Sequence, residues 1–383
     1  MRVSLLTNCI TPYRTPLWRE LDRLCDLKVI LLNTNHPRRE WSEDIDALKL
    51  SCVSVESRHL GGRTPQSSMP IAWMPVIRAI ANSKPEVLII TGWSTPGYWA
   101  ALFWARRRRV PTVLWAESSG LSSRTESFST ARKIKSAFVR RCDSFIVPGR
   151  IGAQYLAGLG AAPERIVVAR NTPDTGIFHG CESSARHQVA SLLFVGRLVR
   201  EKGVPEMLAA LELLKDRPWT LNIVGGGPLE GEIRGWARRN GLADRVNLAG
   251  FVEPARMAAV YRSADILLLP TLNDCHPLVL PEALLSGVFV LGSDLTAGSH
   301  DLIESGVNGK LVSPGDTTGF ARTIDETLAS CPFDRGLIRR TFEATTPSSV
   351  AGEIVRAALV AFSAGGLSDR ASTQGSFKWK EGG

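Results

Sequence analysis

At 383 residues the chain exceeds what one hydrophobic core ordinarily serves, so two domains are expected. Its 46 lysines and arginines against 37 acids leave a formal charge of +9, which suits acidic partners: a nucleotide, an anionic lipid surface or a nucleic acid. Seven cysteines (Cys9, Cys25, Cys52, Cys142, Cys181, Cys275 and Cys331) are scattered, odd in number and without CxxC spacing, which argues for reduced thiols and against a structural zinc. The six histidines are dispersed too. No run approaches the roughly 20 apolar residues that span a bilayer. Met1–Leu6 enters a strand directly, without the apolar stretch of a signal peptide. A cytoplasmic protein is expected, soluble or peripheral on the inner face of the membrane.

In the first half Val3–Thr7, Lys28–Leu32, Val87–Thr91, Val113–Ala116 and Ser144–Val147 read as buried strands. Helical stretches such as Pro12–Cys25 and Pro70–Ala81 lie between them. That alternation implies a parallel sheet with right-handed crossovers. The loop Thr7–Arg14 follows the first strand; Arg14 can reach a phosphate or an acceptor, or simply open a helix. Glu117 follows the strand Val113–Ala116 and can orient an acceptor hydroxyl, stabilise developing positive charge, or cap the next helix. Arg106–Arg109 end one helix, and Arg132, Lys133, Lys135, Arg140 and Arg141 share another with apolar Ile134 and Phe138. These cations suit either a solvated face complementing the helix dipole or an anionic membrane surface. Trp73, Trp93, Trp99 and Trp104 could line an acceptor groove or pack in the core.

A polar patch, Gly180–His187, breaks the rhythm and marks the expected hinge. The implied organisation is a domain over 1–185, a second over 186–345, a crossover helix within 346–365 and a frayed tail over 366–383. Strands are expected at Leu192–Val195, Thr220–Val224, Val246–Leu248, Ile266–Leu269 and Val288–Leu291, with a last helix over Val350–Phe362. Arg197 and Lys202 sit on the turn between the first of these strands and the helix Val204–Lys215, where a guanidinium fork and an ammonium suit a diphosphate. Gly225–Gly231 is a glycine-rich turn after a strand, but Pro228 and the spacing break the dinucleotide fingerprint. Asp274 and Glu282 bracket a loop-to-helix junction at the carboxyl end of Ile266–Leu269, where open α/β sheets bind ligands. The amides of His276, Leu278 and Val279 would open that helix toward an anion. Ionised acids on either side accept hydrogen bonds from hydroxyls. The competing reading is that both acids serve the helix N-terminus as caps.

Taken together these segments resemble the GT-B glycosyltransferases of family 4, retaining enzymes that use nucleotide-sugars. Val224–Pro228, Ala249–Phe251, Ala264–Pro270 and Asn308-Gly309 carry the resemblance further, from Phe194 to about Val312. It implies an α/β fold of two facing Rossmann-like domains, with a C-terminal helix crossing back to the first. Arg197 and Lys202 would hold the donor diphosphate, Glu282 the ribose, and Asp274 the donor sugar. Asp274 departs from the family pattern, which has a glutamate there. Gly225, Gly250, Phe251, Leu278, Val279 and Arg14 complete the implied donor-binding set, the segment around Gly250 meeting the base through its backbone. Asn171–Asp174 and Phe178 match a segment taken as structural. Glu117 stands where relatives often carry a histidine, and the first loop lacks their glycines. Asp274, Glu117, Arg197 and Lys202 are the implied catalytic residues.

The resemblance implies transfer from a UDP- or GDP-sugar to an acceptor hydroxyl in polysaccharide or glycolipid assembly, with no cofactor and no metal. An epimerase or hydrolase on the same frame is the alternative enzyme. A nucleic-acid-binding role has only the charge in its favour, since no nucleic-acid motif is present.

Overall fold

The structure, a computed structural model, describes residues 1–8, 14–32, 50–55, 58–60, 69–71, 73–121, 129–178, 189–331 and 333–364. The expected hinge at Gly180–His187, the tail from 366 and most of the loop before Arg14 lie outside them. The chain forms two compact units, Met1–Arg170 with Pro347–Gly383, and Asn171–Thr346. The expected division at 185/186 falls inside the span of the second unit.

The first unit contains β1 (Arg2–Thr7), β2 (Asp26–Leu31), β3 (Cys52–Ser54), β4 (Arg58–Leu60), β5 (Met69–Ile71), β6 (Val87–Ile90), β7 (Thr112–Trp115), β8 (Ser144–Val147) and β9 (Ile166–Val168). Seven of these form one parallel sheet in the order β3-β2-β1-β6-β7-β8-β9. β6, β7 and β8 are apolar runs buried along their whole length, as expected of a sheet covered on both faces. One face packs on helix Thr15–Leu24 and on the C-terminal helix Pro347–Ala364, whose Val350, Ile354 and Ala358 share a core with Val3, Leu5 and Leu17. Ser144 Oγ donates to the Ala357 carbonyl at 2.7 Å across that layer. The last helix thus belongs to the first unit, as the resemblance implies.

Two expectations change here. Pro70 lies in β5, which pairs antiparallel with β4, and the helix starts only at Trp73. Pro70, lacking an N–H, is tolerated in a two-stranded ribbon that has an open edge. The basic helix, Ser129–Val139, does not present Ile134 and Phe138 as one exposed stripe. Phe138 is fully buried with its ring 4.9 Å from that of Trp99, whereas Ile134 is exposed. Trp93, Trp99 and Trp104 pack against the same core, while Trp73 is exposed.

The second unit contains β10 (Ala190–Val195), β11 (Trp219–Val224), β12 (Val246–Gly250), β13 (Ile266–Leu269), β14 (Phe289–Ser293) and β15 (Gly309–Val312). All pair in parallel in the order β12-β11-β10-β13-β14-β15. The chain builds outward one way from β10 and the other way from β13, so strand order reverses between these two neighbours. Crevices at such a reversal, at the carboxyl ends of the strands, are where doubly wound sheets take ligands. Each unit is thus an α/β parallel-sheet domain.

Candidate active site

Arg197 follows β10 directly, and its backbone is fixed by glycines that bring two strand ends together. A side chain on Gly225, at φ +124°, would place its Cβ 2.0 Å from the Gly196 carbonyl oxygen. The Gly225 amide instead donates to the Gly250 carbonyl at 2.8 Å, and Leu198 N donates to Gly226 O at 2.9 Å. The turn after β11 is therefore laced to the turn that carries Arg197. Gly250, at φ +68°, ends β12, and Phe251 beside it is 62 % exposed.

Lys202 stands on a short 3-10 turn, Arg200–Lys202, before helix Val204–Glu212. That helix ends three residues earlier than the sequence pattern implies. The Glu201 carbonyl accepts from Thr271 Oγ1 at 3.1 Å, Leu272 N at 2.9 Å and Asn273 N at 3.3 Å. Gly203 lets the turn approach so closely: at φ +72°, an added Cβ would lie 1.9 Å from the Pro270 carbonyl oxygen. The turn after β10 is thus seated on the loop after β13. Lys202 Nζ ends 2.5 Å from Asp274 Oδ2, both side chains about a quarter exposed or less.

The junction that follows bears differently on the two acids. Helix Val279–Leu285 has Leu278, not Asp274, as its N-cap residue, and no side-chain hydrogen bond is made there. Glu282, in its first turn, receives the Tyr261 hydroxyl on Oε2 at 2.7 Å. Burial pushes the Glu282 carboxyl up to about 7, the tyrosine hydrogen bond pulling it partly back. Burial and the neighbouring carboxyl push the Tyr261 hydroxyl well above its usual range. Phe178 meets Tyr261 edge-on at 5.9 Å, so the segment taken as structural supports this carboxyl at one remove. His276 points inward: its side chain is 2 % exposed and Nε2 lies 3.7 Å from Asp301 Oδ2. Asn171 Nδ2 donates to the His276 carbonyl at 3.4 Å.

Arg197, Lys202, Gly225, Gly250, Asp274 and Glu282 thus all lie at the carboxyl ends of β10 to β13. Tyr261 and Asp301 carried no motif. Tyr261 recurs with Met257 and Ala258 on the buried side of helix Pro254–Arg262, which reads as ordinary core.

In the first unit Arg14 and Glu117 form an ion pair. The Arg14 guanidinium lies 5.3 Å from the Trp115 ring centroid, and Trp115 packs edge-on against Trp18 at 5.8 Å. Trp115 closes β7 and Glu117 follows it by two residues, so the pair sits at a strand's carboxyl end.

Two family models match the chain. "Glycosyl transferases group 1" covers residues 190–330 and "Glycosyl transferase 4-like domain" covers residues 10–172. The amylovoran biosynthesis glycosyltransferase AmsK of Erwinia amylovora is 28% identical over 71% of this chain and 68% of its own length. Other curated relatives are matched over 20% to 60% of their own length. The lipopolysaccharide outer core galactosyltransferase WaaB superposes with a TM-score of 0.72 at 16% identity, over 93% of this chain and 99% of its own. HepE of Anabaena, solved in complex with UDP, superposes with a TM-score of 0.69 at 17% identity over the same shares.

Proposed function

The chain belongs to the GT-B glycosyltransferases of the family-4 type, and from that premise we propose that it transfers a sugar from a nucleotide-sugar to an acceptor hydroxyl with retention of configuration. The observation that carries the proposal is the convergence of Lys202 and Asp274 at the strand-order reversal, with Arg197 on the turn after β10 and Glu282 in the helix Val279–Leu285. Arg197 and Lys202 take the donor diphosphate, one as a fork and one as a point charge. Glu282 takes the ribose and Asp274 a hydroxyl of the donor sugar. Gly225, Gly250, Phe251, Leu278 and Val279 line the nucleotide. Negative charge grows on the leaving diphosphate as the glycosidic bond breaks. Two fixed cations stabilise it there, an effect worth roughly 3–4 kcal/mol for a well-placed donor. In front-face attack the departing diphosphate oxygen takes the acceptor proton, so no protein nucleophile is required. Glu117, oriented by Arg14, is assigned to the acceptor hydroxyl.

The donor class is supported by structural neighbours solved with UDP, with UDP and glucose, and with UDP-glucose. The amylovoran relative supports a place in polysaccharide assembly. The test is binding followed by product analysis. UDP, GDP and their sugars are screened by thermal shift, and the anomeric configuration of the product is read by NMR. Arg197→Ala and Lys202→Ala should abolish transfer with the fold intact. Near-normal turnover in both would remove the diphosphate assignment, and free sugar released without any acceptor would point to a hydrolase.

An anionic membrane surface is proposed as the second partner. Helices Trp73–Ser83, Pro96–Arg108 and Ser129–Val139, with the residues that end them, carry ten of the chain's cations and no acid. Leaving those ten out, 36 cations face 37 acids, so the whole charge excess resides in this group. Trp73, Met74, Phe103 and Ile134 are the exposed large apolar side chains on the same helices. Basic residues beside exposed apolar ones suit an anionic interface. No described helix is long and apolar enough to cross a membrane.

A further inference from the structure

The carboxyl assigned to the ribose is itself held by a residue that no motif marks. Tyr261 lies on the helix before β13, Glu282 on the helix after it, so the strand's two flanking helices meet through this contact. The tyrosine is 0 % exposed, and burying a hydroxyl without a partner is costly. A phenylalanine would pack against Phe178 equally well, so the hydroxyl is explained by what it binds. It donates to Glu282 Oε2 at 2.7 Å, with the Val279 carbonyl 3.5 Å away. A hydrogen bond to a carboxylate in such a site is stronger than one at the surface.

We propose that Tyr261 is a positioning residue for nucleotide recognition: its hydroxyl engages Oε2 of Glu282 and commits Oε1 to the ribose hydroxyls. The inference rests on the assignment of the ribose to Glu282. A carboxylate that can rotate presents its oxygens in many directions, whereas one pinned through Oε2 presents Oε1 in one. The site then discriminates a ribonucleotide from a nucleotide lacking the 2′ and 3′ hydroxyls. The same hydrogen bond favours the ionised, purely accepting form of the carboxyl against the opposing effect of burial.

The experiment is calorimetric titration of the full chain with UDP, GDP and the 2′,3′-dideoxy form of each. Wild type, Tyr261→Phe, Glu282→Gln and the double variant are compared, using the ribonucleotide that wild type binds. Tyr261→Phe should bind the ribonucleotide about five- to tenfold more weakly, as expected for one lost hydrogen bond, and the dideoxy form as wild type does. The double variant should be no weaker than Glu282→Gln alone. In Tyr261→Phe the midpoint of the pH dependence of binding should move upward. Equal loss of both nucleotide forms would make Tyr261 a packing residue and overturn the proposal, as would unchanged ribonucleotide affinity. If Glu282→Gln keeps the full preference for the ribonucleotide, the ribose assignment itself falls and the proposal with it. That outcome is read from a different variant and is separable from the others.

Discussion

Lys202 Nζ lies 2.5 Å from Asp274 Oδ2, so the two residues assigned to opposite parts of the donor are bound to each other. Aspartate is one methylene shorter than the glutamate that the resemblance implies at this position, and the ammonium reaches it across the reversal between β10 and β13. The two charges offset each other, and an incoming diphosphate would compete with Asp274 for the lysine. Asp274→Asn removes that competitor. It should bind free nucleoside diphosphate at least as tightly as wild type, yet turn over nucleotide-sugar roughly ten- to a hundredfold more slowly, the size of a lost charged hydrogen bond. Paired titrations and rates check this. Weakened diphosphate binding in Asp274→Asn would instead mean that Asp274 serves chiefly to aim Lys202.

Glu282 makes both binding and stability depend on pH. Its carboxyl rises from an ordinary 4.5 to about 7 in the folded chain, mainly through burial. A raised folded value means the contribution to stability is fully present below pH 4.5 and lost as pH rises through 7. The loss amounts to at most roughly 3 kcal/mol, reduced where water reaches the carboxyl. Glu282→Gln carries no such dependence. Its melting temperature should match wild type near pH 4 and exceed it near pH 8. A wild type that does not lose stability relative to the variant over this range would contradict the raised value.

Gly203 tests how the cation is placed. At φ +72° with an added Cβ 1.9 Å from the Pro270 carbonyl, Gly203→Ala must shift the turn or the strand end. Left-handed strain alone costs about 1–3 kcal/mol, and the clash with backbone adds to it. Melting should fall, and diphosphate affinity should fall toward that of Lys202→Ala. Normal affinity in a folded Gly203→Ala protein would show that the turn tolerates displacement.

Arg14 and Glu117 lie in the first unit, while Arg197, Lys202, Asp274 and Glu282 lie in the second. Glu117→Gln should therefore reduce turnover and leave nucleoside diphosphate affinity unchanged. Arg14→Ala should act through the same carboxyl, so the double variant should lose no more than about the larger single effect, as coupled neighbours do. Additive losses would assign Arg14 a separate contact.

The ten-cation group predicts salt-sensitive lipid binding. Co-sedimentation with vesicles containing phosphatidylglycerol should be strong at low ionic strength and fall as added salt screens the surface charge. Phe103→Ser with Ile134→Ser should weaken it further without altering nucleotide affinity, because both side chains are exposed outside the second unit. Absence of binding at low salt would remove the membrane from the proposal.

The sequence by itself determined the alternation of strands and helices and the placing of Arg197, Lys202 and Asp274 just beyond strand ends. Ser144–Val147 and Ile266–Leu269 occupy the residues their apolar runs imply, because a strand buried on both faces leaves a continuous hydrophobic signature. The edge strands β3, β9 and β15 left no such signature: they are three or four residues long, and none is buried along its whole length. The ribbon of β4 and β5 was hidden for a different reason, since Pro70 stands beside a helical pattern that begins three residues later. Pairings between side chains belonged to tertiary structure alone. Lys202 and Asp274 are 72 residues apart, Arg14 and Glu117 103, Tyr261 and Glu282 21. Periodicity records which face of an element is buried, a local property. Which side chain meets which depends on strand order, and here the reversal between β10 and β13 made Lys202 and Asp274 neighbours.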